Sequence, residues 1–253
     1  MNGMNVAGGA AVRLLIASLL GLVSFAGAPD AAAFSCESLV SEGCHERITS
    51  EALRRVRGDR LAPAIAPTDD ELALIRDVQF TPDDDMRDIA AIALILGVRD
   101  NDLKGRGSQD LEATAEIHGD PALQHEHCLR HPDHDEPDGS AEALAACRAF
   151  IESRFAQALG GLDPQGVPSA LRRMDLRVEL SVRGRVDASL PTFYVRMGQA
   201  LHALEDAFSH TYRSNADEVT TVVNWVELIG SDDFEERRDG PGHSSELDRC
   251  DDP

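Results

Sequence analysis

The 253-residue chain carries 24 lysines and arginines against 45 aspartates and glutamates, a net charge of −21, with 42% hydrophobic residues. That apolar share excludes wholesale disorder, and the charge argues against non-specific attraction to nucleic acid or anionic lipid, both of which draw on basic patches. Aromatic residues make up only 4%, so the core must come mainly from Leu, Ala, Val and Ile, a composition that favours helices.

Residues 1–33 read as a secretory signal peptide: one basic residue, Arg13, then the apolar run Leu14 to Ala26, then small residues ending in Ala31-Ala32-Ala33. The run falls well short of the ~20 residues of a membrane span. Cleavage after Ala33 leaves Phe34 as the new N-terminus; cleavage after Ala28 is the alternative. Residues 34–253 then form one helical domain, secreted or periplasmic. Sequence proximity pairs Cys36 with Cys44 and Cys128 with Cys147, as an oxidising compartment allows. Cys250, left over three residues from the end, points to a missing C-terminal extension.

Helix signals recur along the mature chain. Glu46 to Arg57 is rich in helix formers; Thr68 with Glu71 makes a capping box; Thr81-Pro82 and three aspartates open a helix that runs to Gly97. Ser108 caps Gln109 to Ile117, Pro121 starts a short helix through Arg130, and Ser140 caps a longer one to about Leu159, ended by Gly160-Gly161. Pro191 starts the most periodic segment, with Phe193, Met197, Leu201, Leu204 and Phe208 at spacings of three and four, which predicts a buried central helix. Leu176 to Val182 and Val219 to Val226 read as a short hairpin or irregular extended pieces. The expected fold is all-α, a multi-helix bundle around a buried metal cluster with at most a short β-hairpin.

The chemistry concentrates on the last helix. His202, Asp206 and His210 are spaced i, i+4, i+8, drifting only about 40° per step, so three potential metal ligands share one stripe at the edge of the core. Imidazole nitrogen and carboxylate oxygen are a ligand set that catalytic zinc accepts. Six further histidines, His45, His118, His125, His127, His131 and His134, precede this stripe, and His243 follows it. His45 opens the first predicted helix, eleven residues after Phe34, within reach of a folded-back N-terminus. The bland alternative is a solvated face or a hydrogen-bonded His-Asp pair.

Phe34, His45, Asp102, His127, His202, Asp206, His210 and His243, in that order, together with Ala200-Leu201-His202-Ala203-Leu204-Glu205-Asp206-Ala207-Phe208-Ser209-His210, resemble the zinc-dependent phospholipase C and single-strand nuclease superfamily. The likeness spans most of the mature chain, and the segment from Ala200 to His210 is its specific part. Asp206 and His210 stand closer together than in typical members, a form similar to secreted relatives with an ALHxLxDxxSH segment. The resemblance implies an all-helical fold, up to three zinc ions and hydrolysis of phosphodiester bonds by a zinc-activated water. It implies that Phe34 and His45 hold one ion, that Asp206 bridges two, that His127 and His202 complete a second site, and that His210, His243 and Glu246 hold the third. His118 and His125 compete with His127. Asp102, or its neighbour Asp100, is then the carboxylate near the attacking water, and Glu205 and Glu227 are candidate partners for imidazole N–H groups. Three Zn²⁺ would create a local phosphate site inside an acidic protein. The acidic surface favours a phospholipid or small phosphodiester as substrate, with peripheral membrane contact, over a nucleic acid. The alternatives are a single-strand nuclease and a non-catalytic secreted binding or structural protein on the same scaffold.

Overall fold

The computed structural model describes residues 43–59, 62–131, 138–225 and 240–243, all within one compact unit, Ala32–Pro253. The predicted signal peptide, Phe34, Cys36, Glu227, Glu246 and Cys250 lie outside the described residues.

Helix α1, Cys44–Gly58, starts after Gly43 in the left-handed region (φ 68°) and carries Glu46 in its first turn and Arg55 and Arg57 in its last, complementing the helix dipole. Helix α2, Asp69–Asp77, has the predicted capping box: Thr68 accepts from the Glu71 N–H and Glu71 from the Thr68 N–H.

The next helix differs from its prediction at both ends. Thr81 to Asp83 is not helical and leads into a short 3-10 turn, Asp84–Met86; α3 begins at Ile89, where the Asp88 carboxylate accepts from Ala90 N and Ala91 N. It then runs through Gly97 to Leu103. Gly97 is a contact point and not a stop, because a Cβ there would lie 2.2 Å from the Val195 carbonyl oxygen. Fourteen residues of α3 are buried, the signature of a helix wrapped on all sides.

Asp110, not Ser108, caps α4, Leu111–Gly119. Pro121 starts a 3-10 turn, Pro121–Glu126, rather than a helix to Arg130. Helix α5, Asp138–Leu159, begins before Ser140, whose hydroxyl instead accepts from Val222 N. The disulfide Cys128–Cys147 ties the segment after the 3-10 turn to α5. Cys44 is disulfide-bonded too.

The fold is mostly helical but not all-α. Strands β1, Arg173–Leu180, and β2, Gly184–Pro191, form an antiparallel hairpin with Arg173 opposite Pro191 and Leu180 opposite Gly184. A second small antiparallel pair joins β3, Thr211–Arg213, to β4, Val219–Val222.

Between the two pairs runs α6, Thr192–Ser209. Its most extensive packing is against α3, and α5 lies along another side. The predicted apolar stripe is only partly buried: Phe193, Met197 and Leu201 pack against the core, but Leu204 is 38% and Phe208 66% exposed, and the most buried face carries Val195, Gly198, Ala203, His202 and Asp206. The cause is the closeness of α3. A Cβ on Gly198 would come 2.1 Å from the Leu94 carbonyl oxygen, so the line of closest approach admits no larger residue, and Leu204 and Phe208 lie off it. Among the described residues no helix is long and apolar enough to cross a membrane.

Candidate metal centre

Six structural elements deliver eight polar side chains to one buried region. His45 comes from the first turn of α1, Asp102 from the last turn of α3, His118 from the last turn of α4, and His127 from the residue after the 3-10 turn. His202 and Asp206 project from α6, His210 caps its end, and His243 follows Pro241 and Gly242. All eight are buried, His45 being the most accessible at 8%.

Asp206 divides its carboxylate between two directions. Oδ1 faces His45 Nε2 at 3.1 Å, and Oδ2 faces His202 Nε2 at 3.0 Å and His127 Nδ1 at 3.3 Å. Asp102 Oδ1 meets three imidazole nitrogens: His118 Nε2 at 2.9 Å, His202 Nε2 at 3.4 Å and His127 Nδ1 at 3.6 Å. Two groups able to hold a metal ion result, His45 with His202 and Asp206, and Asp102 with His127 and His202.

The outer ring nitrogens explain why these arrangements suit a cation. His118 Nδ1 donates to the Thr114 carbonyl at 2.8 Å, so in the neutral ring Nε2 is a lone pair aimed at a carboxylate. His45 repeats the pattern, its Nδ1 donating to Glu205 Oε2 at 2.7 Å while Nε2 faces Asp206. Glu205 is itself steadied by the Thr49 hydroxyl at 2.8 Å. His210 Nδ1 donates to the His127 carbonyl at 2.7 Å, and its Nε2 then meets His243 Nε2 at 2.9 Å. An anchored outer N–H and an inward lone pair is how proteins orient metal-binding imidazoles. Acceptor facing acceptor in a dry interior is unfavourable unless a proton or a metal ion stands between.

The same balance governs protonation. Burial by itself would raise Asp206, but the imidazoles of His202, His210 and His45 outweigh it and hold the carboxyl well below the usual range. Asp102 behaves alike: burial is overcome by His202, His118 and His127. Burial, reinforced by the charge of His118, pushes His127 down to about 3. For His45, burial is outweighed by Asp206 and Glu205, and its imidazole rises well above its ordinary value.

Four atoms form the tightest set: Asp102 Oδ1, His127 Nδ1, His202 Nε2 and Asp206 Oδ2. Five of the six distances among them lie between 3.0 and 3.6 Å. Ligands held ~2.0–2.1 Å from a tetrahedral ion stand roughly 3.3–3.4 Å apart, close to the spacing within the Asp102–His127–His202 group.

The residues predicted from sequence thus separate. His45, Asp102, His118, His127, His202 and Asp206 converge, with His118 and His127 both present where one was expected, and His210 and His243 form an adjoining pair. Asp100 does not join them; it points to Gln199 Nε2 at 2.6 Å. His125 turns its ring edge-on to Phe150, 5.3 Å between centroids. Trp225, not singled out in the sequence, stands between the two histidine groups, its ring 5.4 Å from both His118 and His243. Nothing in its local sequence marks that role, since the contact joins distant segments.

Compared with family models, with curated proteins and with solved structures, the chain finds no match.

Proposed function

We propose that this protein is a secreted, zinc-dependent phosphoric diester hydrolase of the kind its sequence resembles, with a phospholipid or another small phosphodiester as substrate. The observation that carries this reading is a pair of adjoining three-residue groups able to hold a metal ion, Asp102 with His127 and His202, and His45 with His202 and Asp206. Divalent ions bound there would polarise a phosphoryl oxygen and lower the pKa of a water, and would supply positive charge in a chain of −21. The chain's own residues do the holding: Asp206 splits its two oxygens between two positions, Glu205 fixes the His45 ring, and the Thr114 carbonyl fixes His118. Asp102, expected beside the attacking water, faces three imidazoles, which are the surroundings of a ligand. The His210–His243 pair supports a further ion site.

Export is supported by the Cys128–Cys147 disulfide. A substrate with an apolar portion is supported by Leu204 and Phe208, exposed on α6 beside Glu205 and Asp206, and by Tyr212, 48% exposed on β3. The test is metal analysis of the purified protein with hydrolysis of phosphatidylcholine vesicles and of a small chromogenic diester. Two to three zinc equivalents and chelator-sensitive turnover are expected; absence of bound zinc ends the proposal.

Burial of all eight side chains favours a second reading, a closed structural zinc site without turnover. Stoichiometric zinc that raises thermal stability, with no hydrolysis of either substrate, would select it.

A further inference from the structure

Three of the four grouped ligands hang from different elements: Asp102 from α3, His127 from the end of the 3-10 turn, and His202 from α6. Whatever joins those three backbones sets the distances between the ligands, and a side chain beside Asp102 does so. Asn101 is 0% exposed, and its amide nitrogen donates to two main-chain carbonyls, Glu126 at 3.2 Å and Gln199 at 3.1 Å. Glu126 immediately precedes His127, and Gln199 stands three residues before His202 on a shared side of α6.

The neighbours of Asn101 grip the same two residues. Asp100 accepts from Gln199 Nε2, and Lys104, the sole lysine of the chain, pairs with the Glu126 carboxylate. Main chain and side chain of both partners are therefore tied to one stretch of α3. This accounts for Asp100, whose carboxylate is engaged by the Gln199 side chain.

We propose that Asn101, supported by Asp100 and Lys104, is a positioning residue that sets the span of the Asp102–His127–His202–Asp206 set and so decides which cations fit; this rests on the metal-centre reading above. A carboxamide suits the task because it is neutral and offers two N–H donors to two buried carbonyls. Neighbours held 3.0 to 3.6 Å apart with two imidazole nitrogens among them match a tetrahedral ion with bonds of ~2.0–2.1 Å, such as zinc, whereas calcium takes a shell of about six to eight oxygens. Because the clamp acts through the backbones, the span exists before an ion arrives.

Co²⁺ is the probe, added to the metal-free purified protein and to Asn101→Asp, which keeps the shape but removes both donors. Affinity is read by chelator competition, geometry from the visible spectrum, and folding from circular dichroism of the metal-free forms. The parent is expected to give the intense visible bands of tetrahedral cobalt. Asn101→Asp should lose about 10–100-fold in affinity, the range seen when supports of metal ligands are removed, with weaker bands of higher coordination. Lys104→Met cuts only a partly exposed anchor and keeps the test available should Asn101→Asp not fold; it is expected to shift affinity and spectrum in the same direction by less. Folded variants with parental affinity and spectrum would overturn the clamp alone. A parent that takes up no Co²⁺ would overturn the metal centre and the clamp with it.

Discussion

Helices α3 and α6 meet twice along one line of contact, and the two meetings have opposite chemistry. Around Leu94, Gly97, Val195 and Gly198 the contact is backbone against backbone, with room for no side chain. A few residues further along both helices, His202 faces both Asp102 and Asp206 among imidazoles from α1, α4 and the 3-10 turn. The first region is complete in itself, apolar and close-packed. The second leaves carboxylates and ring lone pairs facing one another and is complete only with protons or metal ions. The apolar crossing fixes the separation of the polar one.

Mutations should separate the two regions by which form of the protein they damage. The largest effect is expected at the crossing: Gly198→Ala places a methyl group against main-chain atoms that cannot swing aside, and should destabilise the metal-free and metal-loaded protein alike by about 3 kcal/mol or more. Denaturant melts of both forms check this. Asp206→Asn should act on both forms unequally: the metal-free form loses the carboxylate that balances the buried imidazoles of His45 and His202, and the metal-loaded form loses in addition all stabilisation by zinc. In the parent that stabilisation should reach roughly 2.7 kcal/mol at zinc a hundredfold above Kd. A melt with and without zinc that moved equally in parent and variant would contradict the assignment of Asp206.

A smaller change tests orientation within the polar region. Glu205→Gln keeps a hydrogen-bond acceptor for His45 Nδ1 but removes its charge, and should weaken zinc binding about 10-fold while lowering the metal-free melt less than Asp206→Asn does. Competition with a chelator of known affinity measures it.

The smallest effect lies outside both regions, at the contact between α2 and the β1–β2 hairpin. The Asp77 carboxylate accepts from Val182 N at 2.6 Å and from Arg183. Burial would raise it, but Arg183 and the two N–H groups outweigh this and lower it below its ordinary value of 3.8. Its contribution to stability is therefore present above about pH 4 and lost as pH falls through the folded-state value. Asp77→Asn should flatten the acid limb of the stability curve without changing zinc binding.

Part of this architecture was legible in the chain itself. The capping box at Thr68, the hairpin strand around Leu176, the end of α5 at Gly160-Gly161 and the Cys128–Cys147 pairing all follow from residues near one another in sequence, and all are present. The start of α3 was missed because Asp88, among several aspartates after Pro82, is the one that caps. Leu204 and Phe208 were assigned to the core on periodicity alone, which identifies a stripe but not which stripe the neighbouring helix can approach.

Local periodicity determined that His202, Asp206 and His210 share a side of one helix, because i, i+4, i+8 spacing holds whatever surrounds it. The tertiary structure alone decided that Asp102, and not Asp100, completes the group, and that His118 and His127 enter together. Those outcomes depend on the rotation of α3 about its axis and on how closely Gly97 and Gly198 let two backbones approach. Such distances arise between segments about a hundred residues apart, where no short-range pattern reaches.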